Sequence, residues 1–248
     1  MSTRHPLFTV YIGSVAHGLT TSSSDLDVRS VSLADTRDLL ALNSQIEQAP
    51  HVPKGVDLVD YELGHFLRLA TKSNPSILDI FMAPLESVHH PDGHRVRALF
   101  DSVWSSKGVE NAFCGYILSQ RSKLSAGKLA SVKVGKLGAA AMRVAFYGTQ
   151  LLTTGRYVLK LPEESEIEHV CRRWKEGLSS RGNKGLGLLE VMEQTKQAYL
   201  NFQQTCEEAQ EKLTDIQPVN DLLLEMRLDN FRRSEEHTSE LQSRLQIS

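Results

Sequence analysis

The chain has 248 residues, 40% hydrophobic and 23% charged, with a formal net charge of −2. These values suit a soluble globular protein of one or two domains, and the near-neutral total gives no global reason to expect nucleic acid. No apolar run reaches membrane-spanning length and Met1–Pro6 has no signal-peptide pattern, so a cytoplasmic protein is expected, with the widely spaced Cys114, Cys171 and Cys206 as reduced thiols.

Taken in order, Phe8–Ile12 is β-rich and alternates loosely, which predicts a first strand. Gly13-Ser14 follows it, then a Gly/Ser/Thr-rich connection with a short helical turn from His17-Gly18 towards Ser24. A second strand is expected over Asp25–Leu33. On a strand, the period of two places Asp25 and Asp27 on one face, Arg29 beside them, and Leu26 and Val28 on the other. Two close carboxylates repel unless a cation lies between them, and hard oxygen ligands suit Mg²⁺. A Gly-Ser turn can bring backbone N–H groups and a hydroxyl up to a phosphate. A lone Asp-x-Asp is usually a solvated strand end or an Asx turn. It is the joint spacing that points to phosphoryl or nucleotidyl transfer.

Leu39–Glu47 reads as a short helix or an insert, Pro50–Gly55 as a turn, and Val56–Tyr61 as a third strand. In that strand Asp57 and Asp60 fall on opposite faces, so at most one joins the first two carboxylates. Asp60, just ahead of a helix over Glu62–Lys72, is expected to cap it. Leu63, Phe66, Leu67 and Ala70 give that helix an amphipathic face. Asn74-Pro75 ends it and opens a short helix, Ser76–Phe81. His89, His90 and His94 sit in a Pro/Gly-containing surface turn with no fourth ligand.

Between Val103 and Arg143 there are seven cations and one acid, Glu110. This stretch suits a triphosphate or an RNA backbone as well as a solvated helix face. Helices are expected over Ala112–Leu124, Lys133–Leu152, Glu166–Glu176 and Leu186–Lys212, with breaks at Ser125–Gly127 and Ser179–Gly185. Lys136 and Arg143, about two turns apart, can face one cleft. The segment RSEEHTSELQS, Arg233–Ser243, resembles an in-frame translation of a sequencing-library adapter. Residues 233–248 are therefore expected to be a disordered tail, with the natural C-terminus missing.

Gly13-Ser14 followed after about ten residues by Asp25-Leu26-Asp27 resembles the hallmark of the DNA polymerase beta nucleotidyltransferase superfamily. Val56–Leu63 with His65–Ala70, then Asn74–Asp79, resembles the predicted nucleotidyltransferases associated with RNA repair and RNA ligases, Asp79 standing where that branch has Glu. Phe113–Tyr116 with Ser119-Gln120, the Lys136–Arg143 helix, LLTTGRYVLKLP at Leu151–Pro162 and Trp174–Gly177 extend the likeness to about Phe202.

The resemblance implies an α+β fold: a minimal polymerase-beta-like mixed sheet over residues 1–84, then a helical domain over 85–232. It implies two Mg²⁺ ions, replaceable by Mn²⁺, held by the catalytic residues Asp25, Asp27 and Asp57. It also implies a nucleoside triphosphate contacted by Gly13, Ser14, Ser24, Arg29, Lys136 and Arg143. The expected reaction moves a nucleoside monophosphate onto an acceptor hydroxyl, most naturally an RNA end. A protein side chain, a small molecule, or a non-catalytic nucleotide- or RNA-binding role are the alternatives.

Overall fold

A computed structural model describes residues 4–21, 24–42, 48–50, 57–126, 129–177 and 184–245. Its sheet is mixed, in the order β3-β4-β2-β1-β5. Strand β1 (Arg4–Tyr11) pairs antiparallel with β2 (Asp27–Ala34) on one side and β5 (Leu85–Val88) on the other. Strand β4 (Asp57–Glu62) runs parallel to β2, and β3 (Gln48–Pro50) pairs antiparallel with β4 at the edge. A parallel β2–β4 pair within otherwise antiparallel neighbours makes the fold α+β, as expected.

The two sheet faces differ because residue type alternates along the strands. Phe8 and Val10 of β1 share a face with Val31 and Leu33 of β2, and all four are buried. Helix α3 (Leu63–Ala70) covers them, with the expected Leu63, Phe66, Leu67 and Ala70 turned inward, and α4 (Pro75–Met82) packs against α3. From Phe8 the aromatic rings continue in steps: Phe66 at 6.3 Å, Phe81 at 4.8 Å, Phe100 at 6.0 Å, Tyr157 at 5.8 Å, then Phe113 and Phe202. Sheet and helices therefore share one core instead of meeting as two separate ones.

The opposite face is polar. Arg4 pairs with Asp60 at 2.8 Å, Ser32 Oγ donates to the same carboxylate at 2.6 Å, and Thr9 bonds His89 at 2.9 Å. Asp60 is thus bound within the sheet and does not cap α3. The cap is Glu62, which accepts from His65 N at 3.0 Å and also pairs with Arg227 at 3.3 Å. Asn74 caps α4 by accepting from Ser76 N, with Pro75 in the first turn where its missing N–H costs nothing.

Two short helices, α5 (Asp92–Ala98) and α6 (Phe100–Val103), lead to the long ones. These are α7 (Ser106–Ser125), α8 (Ser131–Thr154), α9 (Glu166–Gly177) and α10 (Lys184–Glu208), each overlapping its expected span. Asp92 to His94, expected in a turn, form the first turn of α5. The expected boundary after Pro84 is overrun by β5, which adds a strand to the sheet. Helix α11 (Ile216–Leu245) returns to the sheet, where Thr36 donates to Arg227 O and Asn230 Oδ1 from the start of α2 (Thr36–Leu40). It runs on through Arg233, where a disordered tail was expected, and Glu235 contacts Arg37. Parts of the expected insert and turn, residues 43–47 and 51–56, and most of the break at 178–183, lie outside the described residues. Among the described residues no helix is long and apolar enough to cross a membrane.

Candidate active site

The site begins where β1 ends. Ile12 N donates to Asp27 O at 3.0 Å, which closes the β1–β2 ladder at the mouth of the hairpin. Gly13 then takes φ +62°, a left-handed conformation that costs an L side chain about 1–2 kcal/mol. A Cβ there would also collide with the Asp27 carboxylate, which lies directly over the Gly13 backbone. Only glycine meets both demands. Helix α1 (Gly13–His17) follows, carrying Ser14, and ends on Gly18 in the left-handed region.

Gly18, Leu19 and Ser24, between α1 and β2, are held from α9. Arg172 Nη2 donates to Gly18 O at 3.0 Å, and Lys175 Nζ donates to Leu19 O at 2.7 Å and to Ser24 Oγ at 3.1 Å. Ser24 Oγ also accepts from Thr21 N at 2.9 Å. The hydroxyl expected to touch nucleotide therefore spends its bonds on fixing the loop. The second strand starts at Asp27 and not at Asp25, so the alternation argument does not reach Asp25. Asp25 and Leu26, the latter 40% exposed, precede the strand on open backbone.

Asp27 of β2 is the register partner of Asp57 in the parallel β4, whereas Asp60 pairs with Ser30. The sheet thus sets Asp57 beside Asp27, on the face opposite to Asp60. Arg29 follows on the face of Asp27, half-buried, its Nη1 donating to Val28 O at 2.7 Å. Hard oxygen donors at adjoining strand positions, one of them over bare glycine backbone, fit Mg²⁺ by donor chemistry. Among the described side chains no three His, Cys, Asp or Glu form a metal group; that of Asp57 is outside them.

A second polar cluster, which sequence reasoning missed apart from Arg143, borders α1. Tyr147 Oη donates to Leu159 O, so at 3.0 Å it accepts from His17 Nδ1, which fixes the ring tautomer. Burial, then the charge of Arg143, holds His17 well below the usual histidine range, so the ring is neutral at pH 7. Asp79 Oδ1 accepts from Tyr157 Oη at 2.8 Å. Burial pushes its carboxyl up to about 6, with the Tyr157 hydroxyl and then Arg143 opposing. Arg143 itself is half-buried, and its Nε is fully buried without a hydrogen-bond partner. A half-buried guanidinium whose Nε is cut off from water without a partner is suited to an anionic ligand. Lys136 lies two turns outward on α8 and is exposed, so it does not share this half-buried position.

The signals for the missed residues were present in outline. His17-Gly18 falls one turn after Ser14, Asp79 ends the Asn74-Pro75 segment, and Lys175 lies in Trp174–Gly177. The neighbouring histidines remain apart: His90 pairs with Asp92 at 3.2 Å and His89 bonds Thr9. The three cysteines are free thiols.

Compared with known proteins, residues 3–225 match the model of a family described as RNA repair pathway DNA polymerase beta family. No curated protein matches. Among solved structures, a nucleotidyltransferase-like protein from Exiguobacterium sibiricum is similar over 93% of this chain and 86% of that one, at 11% identity and a TM-score of 0.30.

Proposed function

The chain belongs to the RNA repair pathway DNA polymerase beta family, and from that footing we propose that it transfers a nucleoside monophosphate from a nucleoside triphosphate to a hydroxyl at an RNA end. Asp25, Asp27 and Asp57 would hold Mg²⁺. The observation that carries this reading is the Asp27 carboxylate lying over the left-handed Gly13, with Asp57 as its register partner. When bound, the metal supplies Lewis-acid charge at the α-phosphoryl group and lowers the pKa of the attacking hydroxyl.

The protein's own contribution is placement. Bare backbone at Gly13 lets phosphate oxygens approach where a side chain would block them, and Ser14 offers a hydroxyl beside it. Arg143 offsets the charge of the triphosphate, and Arg29 adds a cation on the face of Asp27. His17, neutral and with its Nδ1 proton committed to Tyr147, presents Nε2 only as an acceptor. Arg172 and Lys175 hold Gly18, Leu19 and Ser24, the last of them next to Asp25. The acceptor hydroxyl gives up its proton to water as its oxygen bonds to the α-phosphorus. The bond from that phosphorus to the bridging oxygen breaks, and pyrophosphate leaves with that electron pair.

The test is the double variant Asp25→Asn/Asp27→Asn, assayed for label transfer from an α-labelled nucleoside triphosphate. The circular dichroism signal should persist, since removing like charges relieves repulsion, while transfer stops. Transfer that survives in this variant would end the proposal.

A further inference from the structure

Helix α8 is packed by other helices on most of its circumference. Its glycines mark the closest approaches: a Cβ on Gly138 would strike Val191 of α10 and Trp174 of α9, and one on Gly148 would strike Phe202 of α10 and Phe113 of α7. A remaining sector carries Lys133, Lys136, Ala140, Arg143 and Tyr147, which at 100° per residue fall within about 80° of arc. At its inner end Tyr147 bonds His17 of α1, and the charge of Arg143 acts on His17 and Asp79. This is where the helix faces the candidate site.

Outward from Arg143 the same sector opens to solvent. Lys136 and Lys133 are exposed, and neither has a hydrogen bond or ion pair among the described residues. Elsewhere on the surface many cations are paired, as in Lys107–Glu110, Lys160–Glu163, Arg173–Glu190 and Arg95–Glu225. No Asp or Glu occurs anywhere between Ser131 and Thr154, so α8 offers its lysines no internal partner. From Arg143 to Lys133 the row extends ~15 Å along the helix. Half-buried Arg143 sits at the inner end of the row beside the candidate site, and two further lysines lie about two and three turns outside it, beyond the reach of a nucleotide held there.

We propose that this sector is the path of the acceptor: a single-stranded RNA whose backbone phosphates lie along Lys133 and Lys136 and whose end reaches the site beside Arg143. The inference rests on the nucleotidyl-transfer reading and moves Lys136 from the nucleotide to the acceptor strand. A row one side chain wide that ends among buried groups admits a strand end and not a duplex. With no aromatic residue between Lys133 and Lys136 to stack on bases, binding is through phosphates alone and indifferent to base sequence.

The experiment measures fluorescence anisotropy of a labelled, unstructured RNA oligonucleotide at several salt concentrations, for the full chain and for Lys133→Gln/Lys136→Gln. ATP affinity and thermal stability are followed on the same samples, and Lys136→Gln alone is the milder variant. Losing two phosphate contacts on a single strand should reduce the log–log salt slope by about 1.4. RNA affinity should fall by a larger factor than ATP affinity, with the single variant between, and melting should be unchanged. An unaltered slope, equal losses for RNA and ATP, or no RNA binding by the parent chain would overturn the proposal. So would equal competition by polyglutamate of matched charge, which would make the row a general anion surface. RNA bound with the expected slope but never labelled would leave this path standing and count against nucleotidyl transfer instead.

Discussion

Replacing Asp79 by Asn probes the buried polar cluster through the pH dependence of stability. Burial raises the carboxyl from 3.8 to about 6, against the Tyr157 hydroxyl and the Arg143 charge. A rise of that size is ~3 kcal/mol of difference between the two protonation states. The folded chain then holds this proton more tightly than the unfolded one. Its contribution is fully present below about pH 4 and is lost as pH rises through about 6. Asparagine keeps an oxygen to accept from Tyr157 and cannot ionise. Between about pH 4 and about pH 7 the parent chain should therefore lose ~3 kcal/mol relative to Asp79→Asn. Urea unfolding of both proteins at the two pH values measures this, since contributions from all other groups cancel in the comparison. A difference that does not change with pH would refute burial as the dominant influence. A change of opposite sign would mean that Arg143 holds Asp79 as a stabilised ion pair.

Gly13→Ala should abolish transfer and destabilise the fold by more than the ~1–2 kcal/mol of the left-handed conformation, because the Asp27 carboxylate is displaced as well; a melting curve and a transfer assay on one preparation suffice. Asp60→Ala leaves Arg4 and Ser32 without their acceptor and should cost ~1–3 kcal/mol while transfer per folded molecule is kept. Asp57→Asn should do the reverse, and an inactive Asp60→Ala beside an active Asp57→Asn would place the third carboxylate wrongly. Lys175→Met should free Leu19 and Ser24 and lower kcat, with partial recovery in Lys175→Arg, whereas a change in melting temperature alone would make the contact merely structural.

Where local pattern decided the structure, the sequence was readable. Period two separates Asp57 from Asp60, and the parallel register with β2 sets Asp57 beside Asp27. The apolar spacing of Leu63, Phe66, Leu67 and Ala70 defines the buried face of α3. The start of β2 was misread because a strand needs a partner. Strand β1 stops at Tyr11, opposite Val28, and the last ladder bond is Ile12 N to Asp27 O, so β1 offers nothing to pair Asp25. Strand β5 has only four residues, none of them buried, and carries no alternation to find. Asp60 was assigned to the helix cap by proximity, yet its partners Arg4 and Ser32 come from other strands. His17 and Asp79 gain their chemistry from Tyr147 and Tyr157, 130 and 78 residues along the chain. Such partners follow from packing and not from local composition.

The most direct test of the central claim follows both ends of the nucleotide at once. The protein is incubated with Mg²⁺, RNA and nucleoside triphosphate labelled at either the α- or the γ-phosphate. Nucleotidyl transfer predicts α-label covalently on the RNA, γ-label in pyrophosphate, equal amounts of the two, and neither product with Asp27→Asn. Label from the γ-phosphate on the RNA, or α-label transfer undiminished in Asp27→Asn, would contradict the account.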